Sequence, residues 1–160
     1  MEIVNVRIDE RLIHGQVAAV WTNTLNATRI MVIDDLAAKD DIQKMALKMA
    51  CPSSVKLSIL SAAKAADRLK NEAYPTDRVF VVLKGPKTVR AVADAGYQFP
   101  VVNVGNMSNK FGSTQVKRSV SVTAEDVEAF REMTDRGTKF TAQMVPTEDL
   151  IDFMPLIKEL

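Results

Sequence analysis

The residues best suited to chemistry lie in one short segment near the start of the chain, Arg7-Ile-Asp-Glu-Arg-Leu-Ile-His-Gly-Gln-Val17. His14 is the only histidine in the 160 residues, and a neutral imidazole nitrogen is a competent nucleophile towards phosphorus. Arg11 lies three residues before it, and its planar guanidinium can hold phosphoryl oxygens through two parallel hydrogen bonds. The pattern predicts a phosphoryl-transfer site with His14 as its nucleophile.

The neighbours of His14 favour the same chemistry. Gly15 removes a side chain beside the ring, and a segment of helical spacing begins at Gln16. Free N–H groups and the positive dipole end make a helix start suitable for binding an anion. We therefore expect Gly15 and Gln16 to face the phosphoryl group. We also expect Asp9 to accept a hydrogen bond from the second ring nitrogen, which would fix the tautomer.

Structural roles for the same residues stay open. Arg11 and Asp9 would also suit an ion pair at the end of a strand, and a lone histidine is often a surface residue. Asp34 and Asp35 follow the second predicted strand, where we expect them to cap the next helix. Lys84 follows the fourth predicted strand and fits either a solvated charge or a cation facing the phosphoryl group.

The elements that must position these residues alternate along the chain. Short β-branched runs predict seven strands: 3–8, 29–33, 55–59, 79–83, 101–104, 118–122 and 139–144. Apolar stripes at helical spacing lie between them: 17–25, 42–49, 62–69, 89–93, a capped segment from Thr123, and 150–157, which Pro155 interrupts. Such alternation indicates one α/β domain over residues 1–160, with a mostly parallel sheet covered on both faces. Its candidate residues follow strands, where ligands gather in such sheets.

Composition excludes several classes of function. Lys plus Arg number 21 against 20 for Asp plus Glu, so the charge offers no footprint for nucleic acid. No apolar run approaches a membrane span, and the first residues lack a secretory pattern, which favours the cytoplasm. With one histidine and one cysteine, the chain predicts neither a zinc site nor any other metal or cofactor site.

The segment around His14 closely resembles the phosphorylation-site signature of IIB components of the mannose/fructose/sorbose family of sugar phosphotransferase systems. Further blocks of that family occur in the same order: Val32-Ile-Asp-Asp35, Leu83-Lys-Gly-Pro86, Val102-Asn-Val-Gly-Asn-Met107, Ser119-Val-Ser-Val122 and Met144-Val-Pro-Thr147. The resemblance covers nearly the whole chain. It departs from the family at Gly85, where a small hydroxyl residue is expected, and this makes Lys84 a weaker candidate.

The resemblance implies a single doubly wound α/β domain with helices on both faces and an antiparallel edge strand near the C-terminus. It also implies a phosphotransferase enzyme in which His14 is phosphorylated, at Nδ1, with Arg11 beside it. A phosphorylated IIA partner would donate the phosphoryl group, which would pass to the transported sugar at the membrane components IIC and IID. The protein would then be cytoplasmic, held at the inner face of the membrane through IIC and IID, and a homodimer is compatible with the pattern.

Other functions explain fewer of these residues. A receiver-like regulatory domain would be phosphorylated on Asp34 or Asp35 and would need no histidine. A histidine phosphatase or mutase places Arg directly before its nucleophile and uses a second His, whereas Ile13 precedes His14 here. A nucleotide-binding module would need a G-x-G-x-x-G or Walker sequence after a strand, and the chain has neither.

Overall fold

A central sheet organises the protein. The computed structural model describes residues 1–160 and contains nine strands: β1 (Glu2–Asp9), β2 (Arg29–Ile33), β3 (Lys56–Leu60), β4 (Arg78–Leu83), β5 (Val101–Asn106), β6 (Thr114–Lys117), β7 (Val120–Val122), β8 (Lys139–Ala142) and β9 (Ile151–Asp152). Seven of them form one sheet in the order β3-β2-β4-β1-β5-β8-β9. Every pair in that sheet is parallel except β8–β9, so the predicted antiparallel edge strand is confirmed.

Helices cover both faces of this sheet, as predicted. They are α1 (Gly15–Leu25), α2 (Asp41–Ala50), α3 (Ala62–Lys70), α4 (Pro86–Asp94) and α5 (Ala124–Asp135). α1 and α2 pack on one face around Trp21 and Phe80, while α3, α4 and α5 bury a larger core on the other. Strands β2 and β4 are enclosed by both layers, which explains their continuous apolar sequences. None of the helices is long and apolar enough to cross a membrane.

The predicted apolar stripe of α2 faces the solvent. Ile42, Met45 and Met49 are exposed, and Leu47 is the only residue of this helix that is buried. A periodic stripe shows that residues share one face of a helix, but tertiary packing decides which face meets the sheet. The expected cap was also wrong, because the start of α2 is capped by Asp40, whose carboxylate accepts the N–H groups of residues 42 and 43.

The C-terminal third differs most from the sequence prediction. The strand expected over 118–122 is shorter and pairs with β6, which the sequence did not predict, to form a separate antiparallel hairpin. The final segment is not a kinked α-helix but the edge strand β9 followed by a 3₁₀ helix over Met154–Ile157. Pro155 lacks the N–H of a regular helix, and the backbone of Ile151 and Asp152 pairs with β8 instead.

Candidate functional site

His14 lies at the carboxyl edge of the sheet, between the end of β1 and the start of α1. It is the N-cap residue of α1, with extended backbone (φ −119°, ψ 102°), and its side chain is exposed and makes no capping hydrogen bond. Its carbonyl accepts the N–H of Ala18, so the first amides of the helix, at Gly15, Gln16 and Val17, precede the first helical bond. The structure thus brings an accessible imidazole to a helix end that favours anions.

Two buried side chains hold the loop before His14 in place. Leu12 and Ile13 are each only 6% exposed and join the core beneath α1. Leu12 has a left-handed backbone (φ 61°), which is unfavourable for a side chain of this type, and its N–H donates to the carbonyl of Asp9 (2.8 Å). Because the buried side chains of Leu12 and Ile13 hold this turn against the core, His14 points outwards into solvent.

Asp9 has a different role from the one we expected. Its buried carboxylate accepts hydrogen bonds from Arg11 through the backbone N–H (3.0 Å), Nε (2.9 Å) and Nη2 (2.9 Å). Arg7 donates to the same carboxylate through Nη2 (3.3 Å). Both oxygens are therefore engaged by arginines, and neither is recorded in a hydrogen bond with His14. The tight turn folds Arg11 back over Asp9, so Asp9 positions this arginine rather than the imidazole ring.

Arg7 is a buried partner of Asp9 that sequence reasoning missed. It is 2% exposed, donates to the carbonyl of Gln143 (3.1 Å), and lies with Cζ 5.3 Å from the centre of the Trp21 ring. Burial lowers the pKa of Arg7, and the charge of Asp9 opposes this shift. A signal was present, because Arg7 and Asp9 are two residues apart in a strand and so share one face of the sheet.

Gly105, in the neighbouring strand β5, makes room for the Arg7 guanidinium. A Cβ atom at this position would lie 2.2 Å from Arg7 Cζ, far inside any normal contact. The sequence pattern cannot reveal this constraint, because it depends on which strand pairs with β1 and in which register. The parallel pairing of Arg7 with Asn103 sets that register.

Arg11 keeps part of its guanidinium available. Nε and Nη2 contact Asp9, while Nη1 has no hydrogen-bond partner, and the side chain is 28% exposed. The hydrogen bonds to Asp9 raise the pKa of Arg11 and fix the plane of its fork. The cleft beneath this loop, which His14 and Asp9 both line, has a volume of about 10 Å³, room for no more than a water molecule. A group as large as a phosphoryl therefore has room at His14 only on the outer surface.

Lys84 and Asp34 reach the same edge of the sheet and pair with each other. Lys84 Nζ lies 3.8 Å from Asp34 Oδ2, and Asp34 also accepts the N–H of Ala37 (2.9 Å). Asp35 accepts the N–H of Ala62 (2.8 Å) at the start of α3. Asp34 thus stabilises the turn after β2 and Asp35 the start of α3, so neither caps the second helix, and Lys84 has a carboxylate partner.

Comparison with known proteins gives a consistent result. The family model described as the PTS system sorbose subfamily IIB component matches residues 3–160. The sorbose-specific EIIB component of Lacticaseibacillus casei is 38% identical over all of this chain and 98% of its own length. The mannose-specific EIIAB component of Escherichia coli K12 is 36% identical over the whole chain, which spans 50% of that relative. The crystal structure of the IIBSor domain of the Klebsiella pneumoniae sorbose permease superposes with a TM-score of 0.91 at 33% identity, over 99% of this chain and 98% of that one.

Proposed function

The chain belongs to the sorbose subfamily of IIB components of the sugar phosphotransferase system, and we propose that it carries the phosphoryl group on His14. Membership of this family makes it a sugar-specific phosphotransferase component. The observation that supports His14 as the carrier is its exposure at an uncapped helix start, five residues after Asp9, the last residue of β1, which holds Arg11 in place. The residues of this loop have the types and positions that phosphoryl transfer needs.

The proposed step is an in-line transfer from a phosphohistidine of a IIA partner. The lone pair of His14 Nδ1 attacks phosphorus, and the new P–N bond forms as the donor's P–N bond breaks. Nη1 of Arg11 and the amides of Gly15 and Gln16 take up charge on the equatorial oxygens. Because an imidazole is both acceptor and leaving group, the protons balance and the step is close to thermoneutral.

The same proposal covers the partners. The name of the E. coli relative joins the letters A and B in one component, which supports a IIA protein or domain as the donor. The phosphorylated chain would then dock on IIC and IID at the inner face of the membrane and pass its phosphoryl group to the sugar. No sugar pocket is needed at His14 for this role, which agrees with the small cleft beneath the loop.

The alternative acceptors in the chain have structural duties. In a receiver-like domain Asp34 or Asp35 would carry the phosphoryl group, but Asp34 accepts the N–H of Ala37 and Asp35 accepts the N–H of Ala62 at the start of α3. The buried position of Asp34 also limits access to phosphorus donors. The geometry supports His14 better.

The deciding experiment is intact-mass analysis after incubation with a phosphorylated IIA protein. We expect the wild type to gain one phosphoryl group, and His14→Ala to gain none while folding normally, because the side chain is exposed. Asp35→Asn is the matched control and should still be phosphorylated. The label should be lost in acid and kept in alkali, as for a phosphoramidate. Release by neutral hydroxylamine, or one phosphoryl group on His14→Ala, would move the acceptor to an aspartate.

A further inference from the structure

One aromatic side chain stands fully in solvent near the site. Phe111 occupies the loop that follows β5 and buries none of its ring against the rest of the chain. Exposed apolar residues are common, but a phenylalanine that gains nothing from its own fold is an unusual use of a large apolar side chain. The ring of Phe111 is therefore free to contact another molecule.

The turn that presents Phe111 is ordered by its own hydrogen bonds. The N–H of Ser113 donates to the carbonyl of Lys110 (3.0 Å), and Gly112 has φ 79°, as in a type II turn with Phe111 at its second position. The Ser113 hydroxyl accepts the N–H of Lys110 (2.9 Å) and lies 2.7 Å from Asn109 Oδ1. The ring is thus displayed on a preorganised support, which reduces the entropy lost when it binds.

This turn lies against the loop that carries His14. β5 is the direct neighbour of β1 in the sheet, about 5 Å away. The N–H of Glu10 donates to the carbonyl of Asn106 (3.1 Å), and the Glu10 carboxylate accepts the N–H of Ser108 (3.2 Å) and pairs with the ammonium of Lys110. The turn that presents Phe111 is therefore attached to the same loop that carries His14, through Glu10.

A protein that donates a phosphoryl group to His14 must bind over the surface around this residue. An in-line transfer brings the donor's phosphorus within about 3 Å of the attacking nitrogen. A specific interface covers about 800 Å² on each partner, equivalent to a disc with a radius of roughly 16 Å. The Phe111 turn is bonded to Glu10, four residues before His14, so an interface of this size centred on His14 can include Phe111.

We propose that Phe111 is an anchor residue for the phosphoryl donor, inserting its ring into an apolar recess beside the donor's phosphorylated side chain. This inference rests on the proposed function and names a determinant of partner recognition for the same site. Aromatic residues are enriched at interfaces, and rigid ones that become fully buried carry much of the binding energy. The partner is thus a protein that offers an apolar pocket next to its phosphohistidine.

The test compares the steady-state rate of transfer from phosphorylated IIA to the wild type, Phe111→Ala, Phe111→Leu and Met49→Ala. Met49 is also strongly exposed, but it lies in the last turn of α2, at the opposite edge of the sheet. We expect Phe111→Ala to raise KM about 10- to 100-fold, with kcat within about twofold. Phe111→Leu should recover part of the loss, and Met49→Ala should match the wild type.

The outcomes separate the inference from the function on which it rests. If Phe111→Ala leaves KM unchanged while the wild type is phosphorylated on His14, the anchor is wrong and the carrier function stands. If the wild type accepts no phosphoryl group, the carrier function itself fails. A fall in kcat at constant KM would make Phe111 a positioning residue, and an effect seen only during sugar phosphorylation in vesicles with IIC and IID would assign it to the acceptor. Either result overturns the donor anchor.

Discussion

A buried aspartate bound by arginine lies at each end of the parallel strands, one at the carboxyl edge and one at the amino edge of the sheet. The two aspartates differ in how they leave their arginines. At the carboxyl edge, Asp9 binds Arg7 and Arg11. At the amino edge, Asp77 accepts from Arg29 Nε (2.8 Å) and from the Thr28 hydroxyl (3.0 Å), just before β4 begins. Because both clusters combine the same residue types with low exposure, their composition alone would assign them the same role.

The two clusters differ in how much of the arginine guanidinium is exposed and free of hydrogen bonds. Arg29 also donates through Nη1 to the Ser58 hydroxyl (2.8 Å), and its guanidinium lies 3.8 Å over the Tyr74 ring, which leaves its side chain 15% exposed. Arg11 is 28% exposed and keeps Nη1 free. Arg29 therefore joins strands together through Asp77 and Ser58, whereas Arg11 is held only by Asp9, three residues before the exposed imidazole, and has a nitrogen that can bind an anion.

Arg11→Ala should slow phosphoryl transfer at the carboxyl edge of the sheet. Losing one preorganised donor typically raises a barrier by about 3 to 4 kcal/mol, so transfer to His14 should slow roughly a hundred- to a thousandfold. Rapid-quench kinetics would measure it, and Arg11→Lys should recover only part of the rate because ammonium lacks the fork. Melting temperature should change little, since Asp9 keeps Arg7 as a partner. A large drop in melting temperature with a wild-type rate would show that Arg11 is a structural partner only.

Asp77→Asn should lower the stability of the protein, because it removes the ion pair with Arg29 at the amino edge of the sheet. Removing one member of a buried ion pair costs about 3 kcal/mol, which lowers the melting temperature of a chain of this size by roughly 6 to 12 °C. The transfer rate to His14 at a temperature where the variant is folded should equal that of the wild type. Calorimetry and rapid quench on the same preparation would check both, and a slowed transfer would contradict the separation of the two edges.

The pH dependence gives this variant a second readout. The hydrogen bond from Arg29 holds the pKa of Asp77 below its ordinary value of 3.8, with a further contribution from Thr28. Its stabilisation is therefore fully present above pH 3.8 and is lost as the pH falls through the lower folded-state pKa. The stability difference between wild type and Asp77→Asn should shrink as the pH is lowered into that range. A difference that does not depend on pH would exclude the ion pair as its source.

Gly105→Ala should lower both stability and transfer rate, because Gly105 makes room for Arg7 at the carboxyl edge of the sheet. The added methyl group would collide with the Arg7 guanidinium, and overpacking of this kind costs about 1 to 3 kcal/mol. Displacing Arg7 should also loosen Asp9, so that both stability and transfer rate fall. Gly85→Ala is the matched control for stability, because nothing lies within 4 Å of its Cβ position and its backbone is extended. Equal melting temperatures for the two variants would contradict this account.

The sequence predicted the parts of the protein that local pattern determines. β-Branched runs located the five strands from β1 to β5, and helical spacing located the five helices between strands, since each periodicity reflects the geometry of a single element. The residue types from Asp9 to Gln16 made this segment a candidate site, and its resemblance to the phosphorylation-site signature of IIB components favoured that role over the structural ones. The prediction failed where apolar spacing fits more than one structure, as over residues 150–157.

Tertiary structure decided which of these residues meet. The sequence placed Arg11, Asp9 and His14 in one loop, but only the folded chain shows that the buried Arg7 and the turn at Leu12 commit Asp9 to the arginines. The need for glycine at position 105 arises because β5 pairs with β1, although almost a hundred residues separate them along the chain. Local pattern reports the faces of an element, whereas charge pairing, close approach and the direction of an exposed ring depend on its neighbours in space.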